Sequence, residues 1–121
     1  MKRVELCEKG GGCVYVELDP NHLFLAAHCN GDVDKCGIRM PGAKFSGANI
    51  YVPATLAKEW ALDALSKVSE GHTLVWLGLM TKISCTTDIC VVDDGITEVY
   101  TTRQKVIEWL EDLITEISKV V

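Results

Sequence analysis

ANIYVPATLAKEWALDALSKVS, residues 48–69, changes period at Pro53, and that change decides the fold class. Ahead of the proline, ANIYV reads as a short strand that Pro53 ends. Beyond it Leu56, Trp60, Ala64 and Val68 fall on one helical stripe, with Ala61 and Leu65 beside it. Pro53 is placed to open this helix and Gly71 to close it. ITEVYTTRQKVIEWLEDLITEIS, residues 96–118, makes the same passage from strand to helix near the C-terminus. There Val106, Leu110, Leu113, Ile117 and Val120 line one face, while Glu108, Glu111, Asp112, Glu116 and Lys119 lie away from it. Thr101 and Gln104 have capping-box spacing at the start of that helix.

The two passages align. At an offset of 49 residues Tyr51 falls on Tyr100, Glu59-Trp60 on Glu108-Trp109, Asp63 on Asp112 and Ser69 on Ser118. A small gap brings Cys29 and Cys36 onto Cys85 and Cys90, and His22 and His72 open matching strands. The chain is therefore expected to be one domain, 1–121, with internal repeat units of about 22–71 and 72–121. Each unit reads as three strands and a helix.

Working outward, residues 2–7 and 13–18 alternate apolar and polar as half-buried strands do, and the glycines between them make a hairpin. Residues 22–29 and 36–40 read as strands around a polar turn. Residues 72–85 read as one long strand, apolar on both faces over residues 74–80 and hence central in its sheet. CVV and ITEVYT supply the rest, joined by the Asp93-Asp94-Gly95 turn. The expected fold is α+β: an antiparallel sheet of about seven strands with two helices on one face, pseudo-duplicated (βββα twice) behind an N-terminal β-hairpin. This repeated order of strands and helix resembles, in architecture alone, the Whirly-type single-strand binders. The resemblance implies a pseudo-symmetric sheet with helices behind it, and it carries over no site residue.

CEKGGGC, CNGDVDKC and CTTDIC share one device, two cysteines bracketing a short polar turn between strands. Alternation puts Cys7 with Cys13, Cys29 with Cys36 and Cys85 with Cys90 on shared faces. Residues opposite one another on antiparallel strands approach closely enough for a disulfide. Six cysteines allow on the order of 15 pairings, and local pairing is preferred because all three pairs satisfy it. Each bridge closes a short loop, worth only ~2 kcal/mol on the chain-entropy argument. The rival reading is a zinc or iron–sulfur site built from Cys29, Cys36, Cys85 and Cys90. Its cysteine spacings are longer than the usual knuckle except in CTTDIC. No C-x-x-C opens a helix, so a thiol redox centre is not indicated.

Twelve basic and 17 acidic residues leave a net charge of −5, opposite to the footprint of a typical duplex DNA binder. The longest uninterrupted apolar run is far short of a membrane span, and MKRVELCEKG has no apolar signal core. The expected address is the cytoplasm, with no membrane association. Six cysteines then point to a hyperthermophile, whose intracellular proteins keep disulfides, with an oxidising compartment or a metal site as the alternatives. No phosphate loop, nucleophile elbow or metal-binding histidine motif is present, and no cofactor is expected.

Three functions follow. The first is a non-enzymatic interaction or assembly protein held by hairpin disulfides. A homodimer is expected for it; the C-terminal helix has the 4-3-4-3 apolar spacing of a coiled-coil seam, but over only about two heptads, so core packing is its default reading and a dimer seam the sharper one. The second is a single-stranded nucleic-acid binder using Arg39, Lys44 and Phe45 of one loop with Tyr15 as a stacking platform. The third is the metal protein already described.

Overall fold

A computed structural model describes residues 2–19, 23–28, 44–46 and 49–121, and places nine strands and two helices among them. In chain order these are β1 (Lys2–Cys7), β2 (Cys13–Leu18), β3 (Leu23–His28), β4 (Lys44–Ser46), β5 (Asn49–Pro53), α1 (Ala54–Ser69), β6 (Leu74–Leu77), β7 (Thr81–Cys85), β8 (Ile89–Asp93), β9 (Glu98–Thr102) and α2 (Arg103–Ser118). The fold is α+β with antiparallel pairing throughout, as expected. The strands divide into two sheets, ordered β1-β2-β3-β5-β4 and β6-β7-β8-β9. The expected strand at residues 36–40, and Cys29 and Cys36 beside it, lie outside the described residues.

α1 and α2 pack on each other and line the inner faces of both sheets. α1 meets β3, β5 and β6, while α2 meets β1, β8 and β9. One continuous core results, with Val4, Leu6, Val14, Val16, Ile50 and Val52 from the first sheet and Val75, Leu77, Ile83, Val92 and Val99 from the second. The face of α1 toward this core is small: Ala57, Ala61, Ala64 and Val68 are fully buried. Leu56, Trp60 and Leu65 are only half-buried at its margin. The buried stripe is thus turned toward the alanines, which let two helix backbones approach more closely than large side chains allow.

Two local details depart from the sequence reading, and a third follows it. α2 is capped by Thr102 rather than Thr101: the Thr102 hydroxyl accepts a hydrogen bond from the Lys105 amide at 3.2 Å. Thr101 belongs to β9, opposite Cys90. The apolar stripe of α2 is occupied by its own core, with Val106, Leu110, Leu113 and Ile117 fully buried. Core packing, the default reading of that stripe, thus holds for these four, while Val120 at its end is exposed. Finally, residues 72–85 are not one central strand. Gly78 adopts φ 71°, a left-handed conformation that glycine reaches without steric cost. The chain reverses there into the β6–β7 hairpin, in which Leu77 faces Thr81. Leu79 and Met80 fold back on the core from the turn, and β6 becomes an edge strand.

Both helices begin directly at the end of a strand. β5 and β9 have five residues each, α1 and α2 sixteen each, and all four boundaries agree at the 49-residue offset. Pro53 opens α1 without a side-chain cap. Gly71, at φ 90°, closes it: the Gly71 amide donates to Val68 O at 3.2 Å and the His72 amide to Lys67 O at 3.1 Å. This paired pattern satisfies carbonyls the helix leaves open.

Candidate interaction face

The cysteines set the edges of both described hairpins. Cys7 and Cys13 face each other in register at the β1–β2 tip and are disulfide-bonded, as are Cys85 and Cys90 at the β7–β8 tip. Backbone bonding explains the pairing. The Glu8 amide donates to Gly12 O at 3.0 Å and the Thr86 amide to Ile89 O at 2.8 Å. Each cysteine pair, one step inward, is then a non-hydrogen-bonded pair, the position where side chains come closest. The two bridges sit in different surroundings. Cys7 is exposed and Cys13 half-buried, whereas Cys85 and Cys90 are in the core.

Sulfur engaged in a disulfide is not a thiolate ligand. Cys85 and Cys90 are therefore removed from the four-cysteine metal set, and Cys29 and Cys36 lie outside the described residues. Among the described residues, Glu5, Cys7 and Cys13 bring ligand-type atoms within 4.8 Å of one another, but two of those atoms are spent on their own bond.

Of the residues expected to bind single strands, Lys44, Phe45 and Tyr15 are among the described ones. Lys44 and Phe45 lie on β4, at the far edge of the first sheet, opposite Tyr51 and Ile50. Tyr15 lies on β2, with β3 and β5 between, a separation of roughly 14 Å at the usual strand spacing. The Arg3 guanidinium stands 4.4 Å over one face of its ring. Arg3 also pairs with the buried Glu17 at 3.2 Å, and Glu17 accepts a hydrogen bond from the Tyr51 hydroxyl at 3.4 Å. Arg39 lies outside the described residues.

What the sequence reading missed is the outer face of the second sheet. Strict alternation sends Val75, Leu77, Ile83, Cys85, Cys90, Val92 and Val99 inward. The outward set forms rows across the strands. One row runs Leu74, Ser84, Val91, Tyr100, and the next runs Trp76, Lys82, Asp93, Glu98; Ile89 and Thr102 begin a third. Four large apolar or aromatic side chains stand open there: Leu74 at 53% exposure, Trp76 at 51%, Ile89 at 51% and Tyr100 at 55%. Lys82 forms no ion pair among the described residues, although Asp93 is its in-register neighbour. Asp93 spends one oxygen on the Gly95 amide, at 2.7 Å. The available signal was the run at residues 74–80, which puts apolar residues on both faces of one strand.

Behind this face Arg103 ties three segments together. Its Nε donates to Thr87 O at 2.9 Å, Nη1 to Val68 O at 2.8 Å and Nη2 to Thr86 O at 2.5 Å. Its backbone amide donates to Asp88 O at 2.8 Å. The end of α1, the start of α2 and the Cys85–Cys90 turn thus share one guanidinium. Asp94 is structural too, its Oδ1 accepting from the Ile96 and Thr97 amides at 2.9 and 2.8 Å. Among the described residues, no helix is long and apolar enough to cross a membrane.

No family model, no curated protein and no solved structure matches this chain.

Proposed function

We propose that the protein is a non-enzymatic interaction or assembly module whose working surface is the outer face of β6-β7-β8-β9. The observation that carries this reading is the cluster of half-exposed Leu74, Trp76, Ile89 and Tyr100 on one sheet face. Scattered apolar side chains are ordinary on a protein surface, whereas a contiguous set marks a binding site. Trp and Tyr are also the residues most enriched where binding energy concentrates. The hairpin bridges support a scaffold role, because they hold the turns flanking both sheets. They fit the interior of a hyperthermophile, where cytoplasmic proteins retain disulfides.

A single nucleic-acid strand is less well matched to this face, where Asp93 and Glu98 stand against Lys82 alone. The test is photo-crosslinking from a benzophenone side chain introduced at position 76. In extract of the source cells it is expected to join the protein to a macromolecule, either itself or another. Absence of any crosslink would sink the reading, as would reproducible turnover abolished by substituting a single pocket residue.

A further inference from the structure

We infer that the partner on the outer face of the second sheet is a second copy of this chain, packed sheet to sheet about a two-fold axis parallel to the strands. The inference rests on the interaction reading above and names its partner. Two-fold interfaces need a patch that is complementary to itself, and the register makes this one so. An axis along the strands, between β7 and β8, lays β6 over β9 and β7 over β8 of the other copy while keeping the rows matched. Lys82 then meets Asp93 of the second copy, and the same contact recurs in reverse. In the same row Trp76 lies over Glu98 of the second copy, and in the neighbouring row Leu74 meets Tyr100 and Ser84 meets Val91 of the second copy. The alternative axis, across the strands along that row, sets Lys82 on Lys82 and Asp93 on Asp93 of the second copy, like charge on like.

Charge and area both fit. Lys82 makes no ion pair among the described residues, and one Asp93 oxygen is committed to the turn, which leaves the other for a partner. Sheets packed face to face lie about 10 Å apart and within about 30° of alignment, a geometry a four-stranded face can adopt without rearrangement. Leu74, Trp76, Ile89 and Tyr100, each about half open, present on the order of 450 Å² together. With the polar rows this reaches the lower part of the range for specific interfaces, about 600–1,000 Å² per partner. The dimer is accordingly reversible rather than obligate.

The experiment is sedimentation velocity from about 1 to 500 µM on the oxidised full chain, with three variants whose folding is checked by circular dichroism. The wild type is expected to shift from monomer to dimer across the series. Val91→Lys, at the centre of the face, weakens association at least tenfold, and so does Lys82→Glu. Leu62→Glu, an exposed site on α1 away from the face, leaves it unchanged. A wild type that stays monomeric throughout overturns the inference, and so does a dimer indifferent to Val91→Lys and Lys82→Glu. A crosslink from position 76 to a different macromolecule, with a monomeric wild type, overturns the second copy while leaving the interaction reading standing. A monomer with no crosslink removes both.

Discussion

Arg103 shows how one side chain can decide the join between two elements. Three guanidinium nitrogens reach carbonyls of Val68, Thr86 and Thr87, which belong to the end of α1 and the disulfide-closed turn. Lysine offers a point charge instead of a planar fork and cannot serve all three. Arg103→Met is expected to cost about 2 kcal/mol, from lost charged hydrogen bonds and carbonyls left poorly served. Urea denaturation of the variant checks it, and an unchanged midpoint would refute the assignment. Trp109 acts at the same scale. It is 3% exposed, and its indole N–H donates to Val4 O at 3.0 Å, pinning edge strand β1 to α2. Trp60 holds the matching sequence position, yet it is only half-buried, so equal places in the repeat do not mean equal environments.

At the scale of elements, the two hairpin bridges close loops of nearly equal length but differ in access. Thiol–disulfide exchange needs an attacking thiolate to reach a sulfur. Graded reduction of the native protein followed by alkylation and peptide mass mapping is expected to label Cys7 and Cys13 first, with Cys85 and Cys90 labelled only on unfolding. Replacing each pair by alanines removes ~2 kcal/mol of chain-entropy stabilisation in either hairpin. The Cys85/Cys90 pair loses a further ~1–2 kcal/mol because it also leaves a cavity in the core. Thermal melts of the two double variants, ranked in that order, check this.

The contact between β1 and α2 is pH-sensitive in a stated direction. The hydrogen bond that the Glu116 carboxylate accepts from Lys119 holds it below its ordinary value; burial opposes this, and a weaker hydrogen bond from Lys2 adds to the lowering. A depressed carboxylate contributes stability above its unfolded pKa and loses it as pH falls through the folded one. Acidification below the usual carboxylate range is therefore expected to free Lys2 and speed amide exchange at the start of β1. Glu116→Gln should abolish that pH dependence, and hydrogen exchange measured by NMR reads both.

For the whole molecule, the decisive feature is that one core spans both sheets and both helices. The coincidence of β5–α1 with β9–α2 at a 49-residue offset supports the proposal that the chain is an internal duplication forming a single domain. Under that proposal neither half buries its helix without the other, since α1 and α2 pack on each other and α2 also packs on β1. Unfolding is expected to be one cooperative transition, with circular dichroism and tryptophan fluorescence coincident in denaturant. Two resolved transitions assigned to the two halves would count against it.

Sequence alone determined the local structure wherever a short-range rule governs the backbone. The switch of period at Pro53, the close of α1 at Gly71, the Asp-Asp-Gly turn and the in-register cysteines of two hairpins each depend on residues only a few positions apart. The α+β class follows from them. Tertiary structure alone decided which apolar residues are core. The run at residues 74–80 looks the same whether both faces are covered or one is open; Leu74 and Trp76 are exposed because no described element covers the outer face of β6-β7-β8-β9. The seam-like spacing of α2 likewise fits a dimer contact or a core, and packing against α1 and both sheets made it core. Burial depends on what lies across the fold, and periodicity reports only which residues share a face. The candidate working surface was therefore present in the sequence as a pattern, but was identified as a surface only once the sheets were paired.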